Sequence, residues 1–138
     1  MSFESELRTY ILSIAAITNL IDDRVYPQLV PYAADISTRL PCIVYSLDDI
    51  EPTFTHDAAG AVNNRYYGLE AWALKYDTMV ELADAILEAL GVLVNTELTT
   101  LTVTSCFIDG LTDMVQPSPD NDQQRIYGRA FTLHVKYK

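Results

Sequence analysis

Basic residues are scarce in this chain: nine Lys and Arg stand against nineteen Asp and Glu, a formal net charge of −10. Coating DNA or RNA depends on neutralising phosphates with cationic side chains, so this balance argues against a general nucleic-acid-binding role. It argues equally against docking on an anionic membrane leaflet. No apolar run approaches the roughly 20 residues that a membrane-spanning helix needs. The opening Met1-Ser2-Phe3-Glu4-Ser5-Glu6 lacks the basic stretch of a secretory signal, so none is expected. Only two cysteines are present, Cys42 and Cys106, too few for a disulfide scaffold. Both lie in apolar stretches, and two reduced thiols packed as small hydrophobes is the simplest expectation. With 5 Gly and 6 Pro in 138 residues, 49 % of them hydrophobic, the chain is not disordered throughout, and it is sized for a single domain spanning 1–138.

The apolar pattern gives a series of elements. Phe3, Leu7, Tyr10, Ile11, Ile14, Ile17 and Ile21 recur at spacings of three and four, predicting one amphipathic helix over 2–20 with Ser2 as its N-cap. Pro27, Pro31 and Pro41 make 24–41 irregular, apart from a short extended piece at Arg24-Val25-Tyr26. Pro41 opens a strand through Leu47, and a second strand is predicted at 64–73. Between them 48–63 reads as a loop. Thr78-Met79-Val80-Glu81 matches a capping box, with Met79, Leu82, Ala83, Ile86 and Leu90 as the buried stripe and Gly91 as C-cap. The opposite face of that helix carries Glu81, Asp84 and Glu88 with no basic partner. A β-branched run at 99–108 predicts a strand with Leu101, Val103, Ser105 and Phe107 on one side and Cys106 on the other. The polar stretch 109–124 reads as a long exposed loop, and 124–137 alternates as a final strand. The expected fold class is α+β: a mostly antiparallel sheet of about four strands with two helices packed on one face.

Chemistry-bearing patterns are few. There is no glycine-rich phosphate loop and no G-x-S-x-G elbow. His56-Asp57 is the single adjacent His/acid pair, and Asp48, Asp49 and Glu51 offer hard oxygen ligands without the spacing of an EF-hand. A solvated acidic loop explains both patterns more simply than a metal site. His134 falls on the outer side of the last strand, a surface or interface position. No catalytic, cofactor-binding or metal-ligating residue is assigned, and the chain is not expected to be an enzyme. Tyr66 and Trp72 share the strand face opposite the predicted core. An aromatic patch among polar residues suits a protein–protein interface, unless a segment of the same chain covers it.

Several segments together resemble the tail completion (tail terminator, or tail-to-head joining) proteins of long-tailed bacteriophages and prophages. These are Asp23-Arg24-Val25-Tyr26-Pro27; Leu40-Pro41-Cys42-Ile43-Val44-Tyr45; the strand from Arg65 to Trp72; Tyr76-Asp77 leading into Leu82-Ala83-Asp84-Ala85-Ile86; and Arg129-Ala130-Phe131-Thr132-Leu133-His134-Val135. The resemblance covers about 3–137, and order and spacing carry it rather than any single motif. It departs in a longer stretch between Pro27 and Pro41 and in the polar segment 109–124. It implies a structural virion protein, assembled in the bacterial host cytoplasm, that forms a homo-oligomeric and usually hexameric ring at the head-proximal end of the tail. There the ring would end tube polymerisation and meet the tail tube protein and the head-tail connector protein. Neither sequence-specific nucleic-acid binding nor membrane contact is implied. On this reading Arg65, Tyr66, Trp72 and Arg129 are interface candidates, the two arginines facing a neighbour's acidic loop. Asp48, Asp49, Glu51 and Asp57 are candidates for an acidic lumen or ring surface, where like charge resists adhesion of passing DNA. Three alternatives stand beside it: another neck or head-completion protein, a small enzyme or ligand-binding domain, and an acidic nucleic-acid mimic.

Overall fold

The computed structural model describes residues 2–31, 35–51, 63–93, 96–98, 100–118 and 121–137. Its first helix, α1 (Phe3–Leu12), is capped as the sequence predicts: the Ser5 N–H donates to the Ser2 hydroxyl at 3.3 Å, and Glu4 and Glu6 sit in the first turn. The single helix expected over 2–20 is divided. The Ser13 N–H closes α1 onto the Thr9 and Tyr10 carbonyls, and its hydroxyl donates to the Tyr10 carbonyl at 2.6 Å. Such local side-chain bonding competes with helix propagation. Ile14 is extended, and α2 (Ala15–Ile21) follows. The break is invisible in the periodicity because Ile17 and Ile21 remain on the buried side.

Three strands precede the long helix or lead into it: β1 (Val25–Pro27), β2 (Cys42–Glu51) and β3 (Asn63–Ala73). A four-residue 3-10 helix (Ile36–Arg39) lies between β1 and β2. Helix α3 (Tyr76–Gly91) buries Met79, Leu82, Ala83, Ile86 and Leu90 as predicted, but it begins two residues before the expected cap, with Lys75 at the N-cap and no side-chain capping bond. Gly91 is its last residue rather than its C-cap. After β4 (Thr96–Glu97), the chain ends in two 17-residue strands, β5 (Thr102–Ser118) and β6 (Asn121–Tyr137).

The α+β expectation holds, with corrections to its count. Among the described residues the sheet has six strands in the order β1-β2-β3-β6-β5-β4. It is mixed, because β1 runs parallel to β2 while the other pairs are antiparallel. The additional strands are the flanking β1 and β4, three and two residues long, too short to show a period in sequence. All three α-helices pack on one face. Phe3, Leu7 and Ile11 from α1, Ile17 and Ile21 from α2 and the α3 stripe meet Tyr67, Leu69, Ala71, Phe131, Leu133 and Val135. The Tyr10 hydroxyl donates to the Ala89 carbonyl at 2.6 Å and ties α1 to α3.

The other face carries a smaller core. Ile36 and Leu40, from the segment after β1, cover Cys42, Val44, Trp72 and Ile126. Beyond this cover, no other described segment packs on this face of the sheet.

The segment 109–124, expected to be a loop, is mostly strand. The last rung between β3 and β6 is Ala73↔Tyr127, so Gln116↔Ile126, Pro117↔Arg125 and Ser118↔Asn121 form a two-stranded arm without a third strand. Ile126 still packs into the second core, but beyond that rung no third strand lies beside the arm among the described residues. A strand without a covered face needs no apolar alternation, and the Pro, Asp and Asn content therefore looks like loop. Likewise β2 continues to Glu51 through an irregularity between Leu47 and Asp49.

Candidate interaction surface

The four interface candidates separate into distinct environments. Trp72 is 6 % exposed, under Ile36 and Leu40 of its own chain. Its indole N–H donates to Glu70 Oε1 at 3.0 Å, which satisfies the one polar atom of a buried ring. Trp72 is thus a core residue of the second face and not part of an open patch. Arg65 projects to the helix face. Its guanidinium lies 3.5 Å from Glu4 Oε1 and 3.5 Å from the Tyr67 hydroxyl, over the Tyr137 ring. Arg129 Nε donates to Asp113 Oδ1 at 2.6 Å and Nη2 to Oδ2 at 3.2 Å, while the Tyr76 hydroxyl donates to the same Oδ2 at 3.2 Å. Both arginines therefore hold carboxylates of their own chain.

Tyr66 remains at the surface, with two companions. Its ring meets His134 edge-on at 4.2 Å, and His134 stacks on Phe107 at 4.5 Å. Phe107 is 54 % exposed. Asn64, Ser105 and Lys136 complete a shallow cleft of about 200 Å³ around the three rings. The sequence pattern placed His134 here but hid Phe107. A register shift between Val103 and Ser105 swaps the faces of β5, so that Cys106 turns into the core opposite Val135 and Phe107 turns out opposite His134. A bulge of one residue inverts every alternation after it, and nothing in the local composition marks it.

The acidic candidates are only partly placed. Asp48 is exposed, its carboxylate beside Gly68 on the open face. Asp49 and Glu51 occupy rungs opposite Tyr66 and Asn64. Asp57, like His56, lies outside the described residues. On α3, Glu81, Asp84 and Glu88 are all exposed, so a second acidic surface faces away from the sheet.

The features that would suggest catalysis are thin. No cluster of three or more His, Cys, Asp or Glu suited to a metal occurs among the described residues. A cavity of about 420 Å³ lies between Gln28–Pro31, Ile36 and Leu40 on one side and the root of the arm on the other, with Leu29, Val30, Val44 and Trp72 among its apolar walls and Glu70 as its charged group. Burial pushes the Cys42 thiol up to about 12 and the Cys106 thiol up to about 11. Neither will be a thiolate near neutral pH. A thiol reagent such as Ellman's should therefore label neither cysteine in the native chain and both after denaturation. Labelling of a native thiol within minutes would show that one of the two clusters opens readily.

No protein-family model and no curated protein matches this chain. Among solved structures it is similar to a chain in the virion of a native gene transfer agent particle. The likeness covers 98 % of this chain and 95 % of the other, with a TM-score of 0.61 and 16 % sequence identity. At that identity the likeness is one of fold.

Proposed function

We propose that this chain is a structural subunit of a tailed, phage-like particle and acts through assembly rather than catalysis. The observation that carries the reading is the nearly end-to-end likeness of fold to a chain of a gene transfer agent virion. The finer assignment is a ring of copies at the head-proximal end of the tail tube, which ends tube growth and joins the tail to the head connector. It is supported by the tail-completion-like segments Asp23–Pro27 and Leu40–Tyr45. The fold likeness alone would suit a neck or head-completion subunit equally well.

On this reading, the open end of the second sheet face is a contact surface. Aromatic rings with a polar rim are the composition of an interface core, and Phe107 and Tyr66 contribute area at little cost in side-chain entropy. Phe107→Asp should leave the melting temperature close to that of the parent, since the ring is already half in water, while abolishing joining of tails to heads. Normal joining by the variant would remove this face from the interface.

Acidic surface residues have a different role. Their field keeps passing DNA from adhering to a ring lumen. Reversing Asp48, Asp49 and Glu51 together to lysine should leave assembled particles intact and slow their DNA ejection. Ejection at the parent rate would place β2 away from the lumen.

A direct test of the proposed activity uses purified components. Added to polymerising tail-tube protein from the same particle, the chain should bind one tube end and shorten the length distribution. Tubes that grow unaffected and carry no extra density at either end would count against tube termination.

A further inference from the structure

The two-stranded arm leaves the sheet at a point gripped from both faces. On the helix face, Arg129 of β6 holds Asp113 of β5 through two hydrogen bonds, and Tyr76, the first residue of α3, donates its hydroxyl to the same carboxylate. The Tyr76 ring also meets Tyr127 edge-on at 5.9 Å. On the opposite face, Met114 packs against the Trp72–Ile126 cluster. Just before Asp113 the β5 ladder shifts register between Asp109 and Thr112, around Gly110 at φ +68 and an exposed Leu111. A bulge bends a strand and leaves one residue outside the ladder, and a glycine with positive φ tolerates changes of direction that other residues resist. A pivot and a three-element polar tie thus lie within four residues of each other.

We infer that Asp113, Arg129 and Tyr76 form a latch that sets the direction of the arm, Gln116–Ser118 paired with Asn121–Ile126, relative to α3, with the Gly110–Leu111 bulge as the pivot. The geometry favours this over a role in holding the sheet together. The tie lies where β3 is about to end, and the sheet's own core is built from other residues. Bidentate pairing with an arginine fixes orientation more strictly than a point charge would. The purpose of the arm rests on the function proposed above: in a ring, an arm of fixed direction reaches a neighbouring subunit or the tube. The latch itself does not depend on that reading.

The test measures the arm in the purified chain. Spin labels at Glu88→Cys on α3 and Gln124→Cys on the arm should give one narrow distance distribution in the parent. Asp113→Asn and Tyr76→Phe should each broaden or shift it, with arm amides exchanging about tenfold faster and the melting temperature nearly unchanged. An unaltered distribution in both variants would overturn the latch. So would a broadened one that appears only together with a collapse of the melting temperature, because the group would then be holding the sheet. Failure of tube termination with a normal latch response would instead count against the proposed function alone.

Discussion

Replacing Gly128 by alanine should destabilise the chain by about 1–3 kcal/mol, the usual range for forcing atoms into a packed site. A Cβ at this position would stand 2.7 Å from Trp72 Cε3 and Cζ3 and 2.8 Å from Cδ2. Real Cβ atoms do not approach carbon so closely, and something must move. The ring has little freedom to do so: it is packed against β6 at Gly128 and under Ile36 and Leu40, with its N–H engaged by Glu70. Relief would require lifting Ile36 and Leu40 from the sheet. The double variant Gly128→Ala/Trp72→Leu should therefore cost less than the sum of its singles, because the smaller side chain yields the space. Gly68 serves as the internal comparison. A Cβ there meets the Asp48 carboxylate at 3.1 Å, the free end of an exposed side chain, so Gly68→Ala should cost much less. Urea midpoints of the four variants decide the matter. A Gly128→Ala chain as stable as the parent would mean that the second core is loose.

The second large effect is expected at Glu6. Its side chain is buried, the one charged residue in the core among the described residues. The carboxylate accepts from the Thr100 N–H, from the Thr100 hydroxyl at 3.0 Å and from the Leu101 N–H at 3.3 Å, fastening α1 to the turn before β5. Desolvation pushes its pKa up, but the hydrogen bonds from Thr100 and Leu101 outweigh it, and the carboxyl titrates below its ordinary value. The sign of the pH dependence follows. A folded pKa below the unfolded one gives stability that is complete above the unfolded value and is lost as pH falls through the folded one. Glu6→Gln keeps a carbonyl oxygen for the two N–H donors but removes the negative charge that strengthens those bonds and turns the Oε2 acceptor into a donor facing the Thr100 hydroxyl, so it should unfold at lower urea than the parent near pH 7. The gap should narrow below about pH 4, where the carboxyl of the unfolded parent chain takes up its proton and the folded one does so only at lower pH. Asp113 is lowered as well, first by the hydrogen bond from Arg129, but it is present in both chains and cancels from the difference. A gap of equal size at pH 3 and pH 7 would show that the charge is not what holds the turn.

Much of this architecture was legible in the residues because burial repeats with a fixed period. The α3 stripe, the inward side of β6 and the start of β2 after Pro41 all follow from spacing alone. The features that escaped have physical reasons. Ser13 breaks a helix whose apolar face continues unchanged across the break. The one-residue shift in β5 turns Phe107 out and Cys106 in without altering composition. Past Ile126 the arm is polar, and no other described strand pairs with it. For the candidate surface, sequence located Tyr66 and His134, but it could not show that Trp72 is covered by Ile36 and Leu40, more than thirty residues earlier. Nor could it show that Arg65 and Arg129 are already engaged by Glu4 and Asp113. Cross-strand and cross-layer partners depend on register, which local pattern does not encode.

The proposed role is tested most directly by deleting the gene from a particle-producing genome that encodes this chain and imaging the lysate by electron microscopy. Overlong tails without heads, beside filled heads without tails, are the expected result: tube growth has lost its stop and the tail its joint. Tails of normal length accompanied by heads that leak their DNA would contradict it, and would move the chain to the connector side of the neck.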